Sequence, residues 1–157
     1  MIQISFEVVD APPRLVVTEK MPYPVAKVWT AQTEALYVQQ WWAPVGYRNV
    51  DIALATNEGE GWRVVQRDPQ GNEFSFYGKV EAFEPAERLV VTITSELFPE
   101  APIRLEQRFA EVAPGTVVTS VYEFLGDAER DGYLNLGGLE RLQGASVKLD
   151  ALLTQMA

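Results

Sequence analysis

Histidine and cysteine are both absent from this 157-residue chain, and much of the familiar machinery of catalysis goes with them. No Ser-His-Asp triad or Cys-His pair can be assembled. A zinc site of the usual His and Cys donors is excluded as well. A metal would have to be held by carboxylates alone, and no D-x-D-x-D spacing occurs. The expectation is therefore no metal and no cofactor. The phosphate-cradling signatures G-x-x-x-x-G-K-S/T and G-x-G-x-x-G are missing. No apolar run reaches the roughly 20 residues of a membrane-spanning helix. The opening MIQISFEVVDAPPR lacks a basic head, an apolar middle and a small-residue cleavage site, so no secretory leader is expected. Positive charge is scarce: 13 Lys and Arg stand against 22 Asp and Glu, a net charge of -9. Such a chain repels phosphate backbones and anionic lipid, so neither nucleic acid nor membrane insertion is expected. The lack of cysteine fits a reducing compartment, and the location expected is cytoplasmic.

What remains is an ordinary globular composition, 47% hydrophobic and 22% charged. The length suits one domain over residues 1–157, with a core that needs no staples. After Pro12-Pro13, residues 15–20 (LVVTEK) read as a strand. Pro24 sits where a helix begins, and Val25, Val28 and Trp29 share one helical face over 24–31. Thr33 is placed to cap a second short helix over 34–40. From residue 50 the hydrophobic period falls to two. Strands are expected at 50–55, 61–67, 74–84, 88–95, 103–112 and 116–125, separated by Gly, Pro and Asn turns. Residues 126–138 read as a loop. Leu139, Leu142, Ser146, Leu149, Leu153 and Met156 then form one face of a long C-terminal helix.

This order predicts an α+β helix-grip fold. A curved antiparallel sheet of six to seven strands wraps the long last helix, and two short helices after the first strand plug one end.

The motifs sharpen that expectation. They are Pro24-Val25-Ala26-Lys27-Val28-Trp29, Gln40-Trp41-Trp42-Ala43-Pro44, Gly61-Trp62-Arg63-Val64, Arg67-Asp68-Pro69-Gln70-Gly71-Asn72-Glu73, Glu87-Arg88-Leu89-Val90 and Pro114-Gly115-Thr116. Taken in order, the set resembles the START-like helix-grip (SRPBCC) superfamily. Within it, the match is to the branch related to the C-terminal domain of the activator of heat-shock protein ATPase. That resemblance implies the fold more than the function, because the superfamily includes lipid carriers, polyketide cyclases, hormone receptors and co-chaperones. Two departures stand out. The glycine pair usual before one strand is here Gly59-Glu60-Gly61. The Gly-Trp pair usual in the last helix is here Gly144-Ala145. A methyl replaces an indole there, which widens any cavity unless Tyr133 or Leu136 folds in.

Strand parity selects the inward side chains. Trp62, Val64 and Gln66 share a face, as do Phe74 and Phe76, Leu105 and Gln107, and Ser120 and Tyr122. An apolar wall with sparse polar groups suits a small-molecule pocket. The side chains expected to meet a ligand are Trp41, Trp42, Trp62, Gln66, Phe74, Phe76, Gln107, Ser120 and Tyr122, with Ser146 and Leu149 from the last helix. Core packing is the simpler account of Trp62. Of the adjacent Trp41 and Trp42, one ring is expected to enter the core or the cavity mouth and the other to lie near the surface, because helical neighbours point about 100° apart. The carboxylates at Glu58/Glu60, Glu84/Glu87 and Asp127/Glu129/Asp131 fall in predicted turns and read as solvated charge. No catalytic residue is assigned.

Three functions follow from these features. The leading one is non-catalytic binding of a small hydrophobic molecule between sheet and helix. A co-chaperone-like module with a protein partner is the alternative, and an exposed apolar patch at Trp41 or Trp42 would favour it. A cyclase- or hydrolase-like enzyme is the third, and an inward carboxylate beside a polar cavity group would favour it. Monomer and homodimer are both compatible with the sequence.

Overall fold

The computed structural model describes residues 1–156. Eight strands form one antiparallel curved sheet. They are β1 (Gln3–Val9), β2 (Arg14–Met21), β3 (Arg48–Ala53), β4 (Gly61–Arg67), β5 (Glu73–Glu84), β6 (Arg88–Ser95), β7 (Ile103–Val112) and β8 (Gly115–Glu123). Their spatial order is β1-β2-β8-β7-β6-β5-β4-β3. Four helices accompany them: α1 (Val25–Thr33), α2 (Ala35–Trp41), α3 (Asp127–Asn135) and α4 (Gly138–Gln155). The helix-grip architecture expected from sequence is the one observed.

Three local expectations are corrected. The first strand is β1, which pairs with β2 as a hairpin, so the short helices follow the second strand rather than the first. Residues 126–138 are not a loop throughout. Asp127 and Glu129 occupy the first turn of α3, where acidic side chains favour a helix N-terminus. Thr33 is not a cap. It ends α1, and its hydroxyl donates to the Trp29 carbonyl at 2.7 Å, while Glu34 holds the N-cap position of α2 without a side-chain bond.

Apolar burial divides into three clusters. The first joins Leu149, Leu152 and Leu153 of α4 to Val28 and Trp29 of α1 and to Met21, Phe109 and Val118 of the sheet. Phe83 and Phe109 meet the Trp29 ring edge-on at 5.2 and 4.9 Å. The second sets Leu139 and Leu142 of α4 against Leu15, Val17 and Phe124. The third, built on Trp62, Val64 and Val80 of the far strands, includes no described residue of α4. The helix thus grips one half of the concave face and leaves the other half to be covered differently. Asp150 of α4 also fastens the chain's beginning. It accepts the Ile2 N–H at 3.1 Å and the Tyr23 hydroxyl at 2.9 Å.

The outer face carries charge. Arg88 pairs with Glu84 and Glu106, and Arg104 with Glu81, Glu106 and Glu123. The hydrogen bond from Arg88, aided by the other guanidiniums, holds the Glu106 pKa below its ordinary value.

Gly78 is a position where the sheet demands a bare backbone. It lies opposite Trp62 in register, and a Cβ there would come 1.8 Å from the Thr92 carbonyl oxygen. That same oxygen accepts the Trp62 indole N–H at 3.0 Å. Gly78→Ala should therefore destabilise the fold by about 3 kcal/mol, the upper range for overpacking. Chemical denaturation followed by tryptophan fluorescence measures this, and a loss within error of zero would show that β5 and β6 can part without cost.

Candidate functional site

Between α4 and the uncovered half of the sheet lies a cavity of about 160 Å³. Its walls are mostly apolar. Trp62 and Val64 of β4, Val80 and Phe83 of β5, Leu89, Val91 and Ile93 of β6 and Leu105 of β7 form the floor. Leu142, Ala145, Ser146 and Leu149 of α4 form the roof. Ala145, where the resemblance implies an indole, borders the cavity. Neither residue named as a replacement fills its place: Tyr133 packs on Tyr122 and Phe124, and Leu136 is exposed.

Trp41 and Trp42 close one end. Both are half-buried and both border the cavity, so the expected division into one inner and one surface ring is corrected. The reason is backbone geometry. Trp41 is the last residue of α2, while Trp42 has left the helix at φ -85° and ψ 62°. The chain therefore turns away directly after Trp42, and both rings are left at the cavity's end. The Trp41 indole donates to the Ala31 carbonyl at 2.8 Å. Trp42 sits edge-on to Trp62 and Phe76 at 5.9 and 5.4 Å. The turn after it is clamped by α4: the Lys148 ammonium donates to the carbonyls of Ala43 and Pro44 at 2.7 and 3.1 Å. Burial lowers the Lys148 pKa.

Of the side chains expected at the site, Trp41, Trp42, Trp62, Gln107, Ser120, Tyr122, Ser146 and Leu149 border this one cavity. Gln66, Phe74 and Phe76 do not. Gln66 points inward as parity required, but its amide donates to the Trp42 carbonyl at 2.8 Å and so braces the tryptophan from behind. Phe76 supports Trp42, and Phe74 packs between Phe76 and Tyr47.

The polar groups collect along neighbouring strands. Gln107 and Ser120 are register partners on β7 and β8, and Val17 of β2 is the other partner of Ser120. The Gln107 amide donates to Ser120 Oγ at 3.1 Å and to Gln32 Oε1 at 3.2 Å. Gln32 Nε2 is left buried with no partner. Across the cavity, Ser146 Oγ donates to the Glu19 carboxylate at 2.9 Å. Burial pushes the Glu19 pKa up, and the Ser146 bond opposes that only in part. Glu19 as a whole residue is half-buried, and it borders the cavity. Burial, then Tyr133 and Glu19, raise the Tyr122 pKa well above its ordinary value, so its hydroxyl stays protonated.

Glu19 and Gln32 are two polar lining residues absent from the set expected from the sequence. Both carried a signal. Glu19 continues the inward alternation Leu15, Val17, Glu19, and Gln32 continues the helical face Val25, Val28, Trp29 by one further turn.

Comparison with known proteins bears on this arrangement. The family model described as "Activator of Hsp90 ATPase homolog 1-like protein" matches residues 22–144. No curated protein matches the chain in sequence. Among solved structures, a protein from Rhodobacter sphaeroides is similar, with a TM-score of 0.91 at 19% identity over 98% of this chain and 100% of that one. One from Mycobacterium smegmatis gives a TM-score of 0.85 at 18% identity, covering 100% of this chain and 99% of its own. One from Nitrosomonas europaea gives 0.84 at 20% identity, covering 95% and 99%. At these identities the likeness is one of fold.

A carboxyl whose pKa is raised on folding means that the folded state binds more protons than the unfolded one. Stability then falls as pH rises above the ordinary carboxylate value of 4.5. Glu19→Gln removes that dependence. Its melting temperature relative to the parent should climb as pH rises above 4.5 and level off once the folded-state carboxyl is ionised. A difference that stays flat across this range in pH-resolved thermal unfolding would mean that Glu19 titrates as a solvated acid.

Proposed function

The chain belongs to the Activator of Hsp90 ATPase homolog 1-like family, and from that premise we propose that it binds a small, mainly hydrophobic molecule in the cavity between α4 and the sheet. One observation carries the reading: the Gln32 amide N–H, buried without a partner in the wall of a mainly apolar cavity. An unmet buried donor costs on the order of 1–3 kcal/mol. An acceptor on a ligand relieves that cost while the ligand's apolar body covers the walls. The residues proposed to touch it are Trp41, Trp42, Trp62, Gln107, Ser120, Tyr122, Ser146 and Leu149, joined by Gln32 and Glu19.

A second reading, an enzyme using the same cavity, is favoured by Glu19. A carboxyl with a raised pKa beside a hydroxyl is equipped to move a proton. The protein-partner reading draws on the family resemblance; Trp41 and Trp42 supply no exposed ring for it, since both are half-buried against the cavity.

Ala145 offers the test. Ala145→Trp puts back the indole usual at this place in the family and fills the roof. Native mass spectrometry of protein purified from its own host should show a retained organic molecule near one-to-one on the parent chain and none on the variant. Equal loading of both would place the ligand outside the cavity and end this reading.

A further inference from the structure

The charge in the cavity wall is one-sided. Glu19 borders the cavity, and among the described residues no Lys or Arg does. Lys148, two residues beyond Ser146 on α4, is directed instead at the Ala43 and Pro44 carbonyls. The groups that share the wall's polar part with Glu19 are neutral: Ser146, Ser120, Gln107, Gln32 and the Tyr122 hydroxyl. One hydroxyl hydrogen bond, from Ser146, reaches the carboxylate at Oε2. An ionised carboxylate in such a place lacks a countercharge, and an uncompensated buried charge is costly.

The rest of the wall suggests what would supply one. Trp41, Trp42 and Trp62 offer aromatic surface at the end formed by α2 and β4. Aromatic faces accept both apolar bodies and cations. An ammonium beside a carboxylate makes a short, charge-assisted hydrogen bond and favours the ionised acid. The volume, about 160 Å³, is close to the roughly 150 Å³ of an engineered apolar cavity that holds benzene. A ligand body of about one ring fits that space.

We infer that the cavity takes a small aralkyl amine, one aromatic ring on a short arm, with its ammonium paired to the Glu19 carboxylate. The inference rests on the cavity being a ligand site, and it assigns Glu19 the selecting role there. A neutral molecule of the same shape leaves the carboxylate without its partner.

Matched probes test it. Benzylamine and 2-phenylethylamine differ from benzyl alcohol and 2-phenylethanol in little but charge. Titration of each into the full chain, followed by protein-observed NMR at mildly alkaline pH, gives the four affinities. The amines should bind about tenfold or more tighter than the alcohols, and Glu19→Gln should erase that preference. Glu19→Gln keeps the side chain's shape and an acceptor for Ser146, and the amine-to-alcohol ratio on the parent chain needs no variant at all. Equal affinities, a preference for the alcohols, or an amine preference that survives Glu19→Gln overturns the inference and leaves a ligand cavity of another chemistry standing. Failure of all four probes to bind overturns it too. The broader binding reading is decided separately, by native mass spectrometry of the parent and Ala145→Trp.

Discussion

One helix cannot cover eight strands. Strands about 4.8 Å apart make an eight-stranded sheet on the order of 35 Å wide, whereas a helix with its side chains is about 10–12 Å across. Curvature reduces the mismatch without removing it. The α4 leucines seal the half of the sheet around β2 and β8, and the floor made by β4, β5 and β6 is left to Trp42, Phe76 and open space. The cavity follows from that shortfall. It is positioned by what the helix reaches, and Ala145 enlarges it where a larger side chain would close it.

Polar groups in such a space are held to a strict standard, because water is limited and each unmet bond is felt. Gln107 meets the standard by bonding two neighbours at once. Glu19 meets it halfway, through Ser146. Gln32 Nε2 does not meet it. The partial satisfaction is graded across the cavity, from Ser120 and Gln107 on the sheet to Glu19 under the roof. It distinguishes this interior from a packed core, where the same side chains would be replaced by leucine or valine without loss.

The fold was legible because its large features repeat. Period-two alternation ran through six strands, and the α4 stripe ran through five turns of helix. What escaped notice was short or interrupted. Ile4 and Phe6 alternate inward in β1, yet the strand sits before Pro12-Pro13 and pairs on one side only. Helix α3 is polar, contains Gly132 and lies between Gly126 and Gly137-Gly138, so its turn-like composition hid acidic N-terminal signals that were present. At the site, strand parity accounts for four of the eight expected side chains that border the cavity, Trp62, Gln107, Ser120 and Tyr122, and the α4 stripe for Ser146 and Leu149. Gln66 shows its limit: parity gives the direction of a side chain and not its reach or its partner. Glu19 is the only carboxylate in β2, so no cluster marks it and only its alternation with Leu15 and Val17 points it inward.

The bonds from Asp150 to Ile2 and Tyr23, and from Lys148 to the turn after Trp42, join parts of the chain more than 100 residues apart. Helix α4 follows every strand in chain order. During synthesis, which proceeds from the N-terminus, the concave face of the sheet is complete before its cover exists. The tryptophans, the cavity floor and the first strand all wait for a segment that leaves the ribosome after them. A protein built this way passes through an interval on the translating ribosome in which strands of its sheet are outside and the helix that covers them is not.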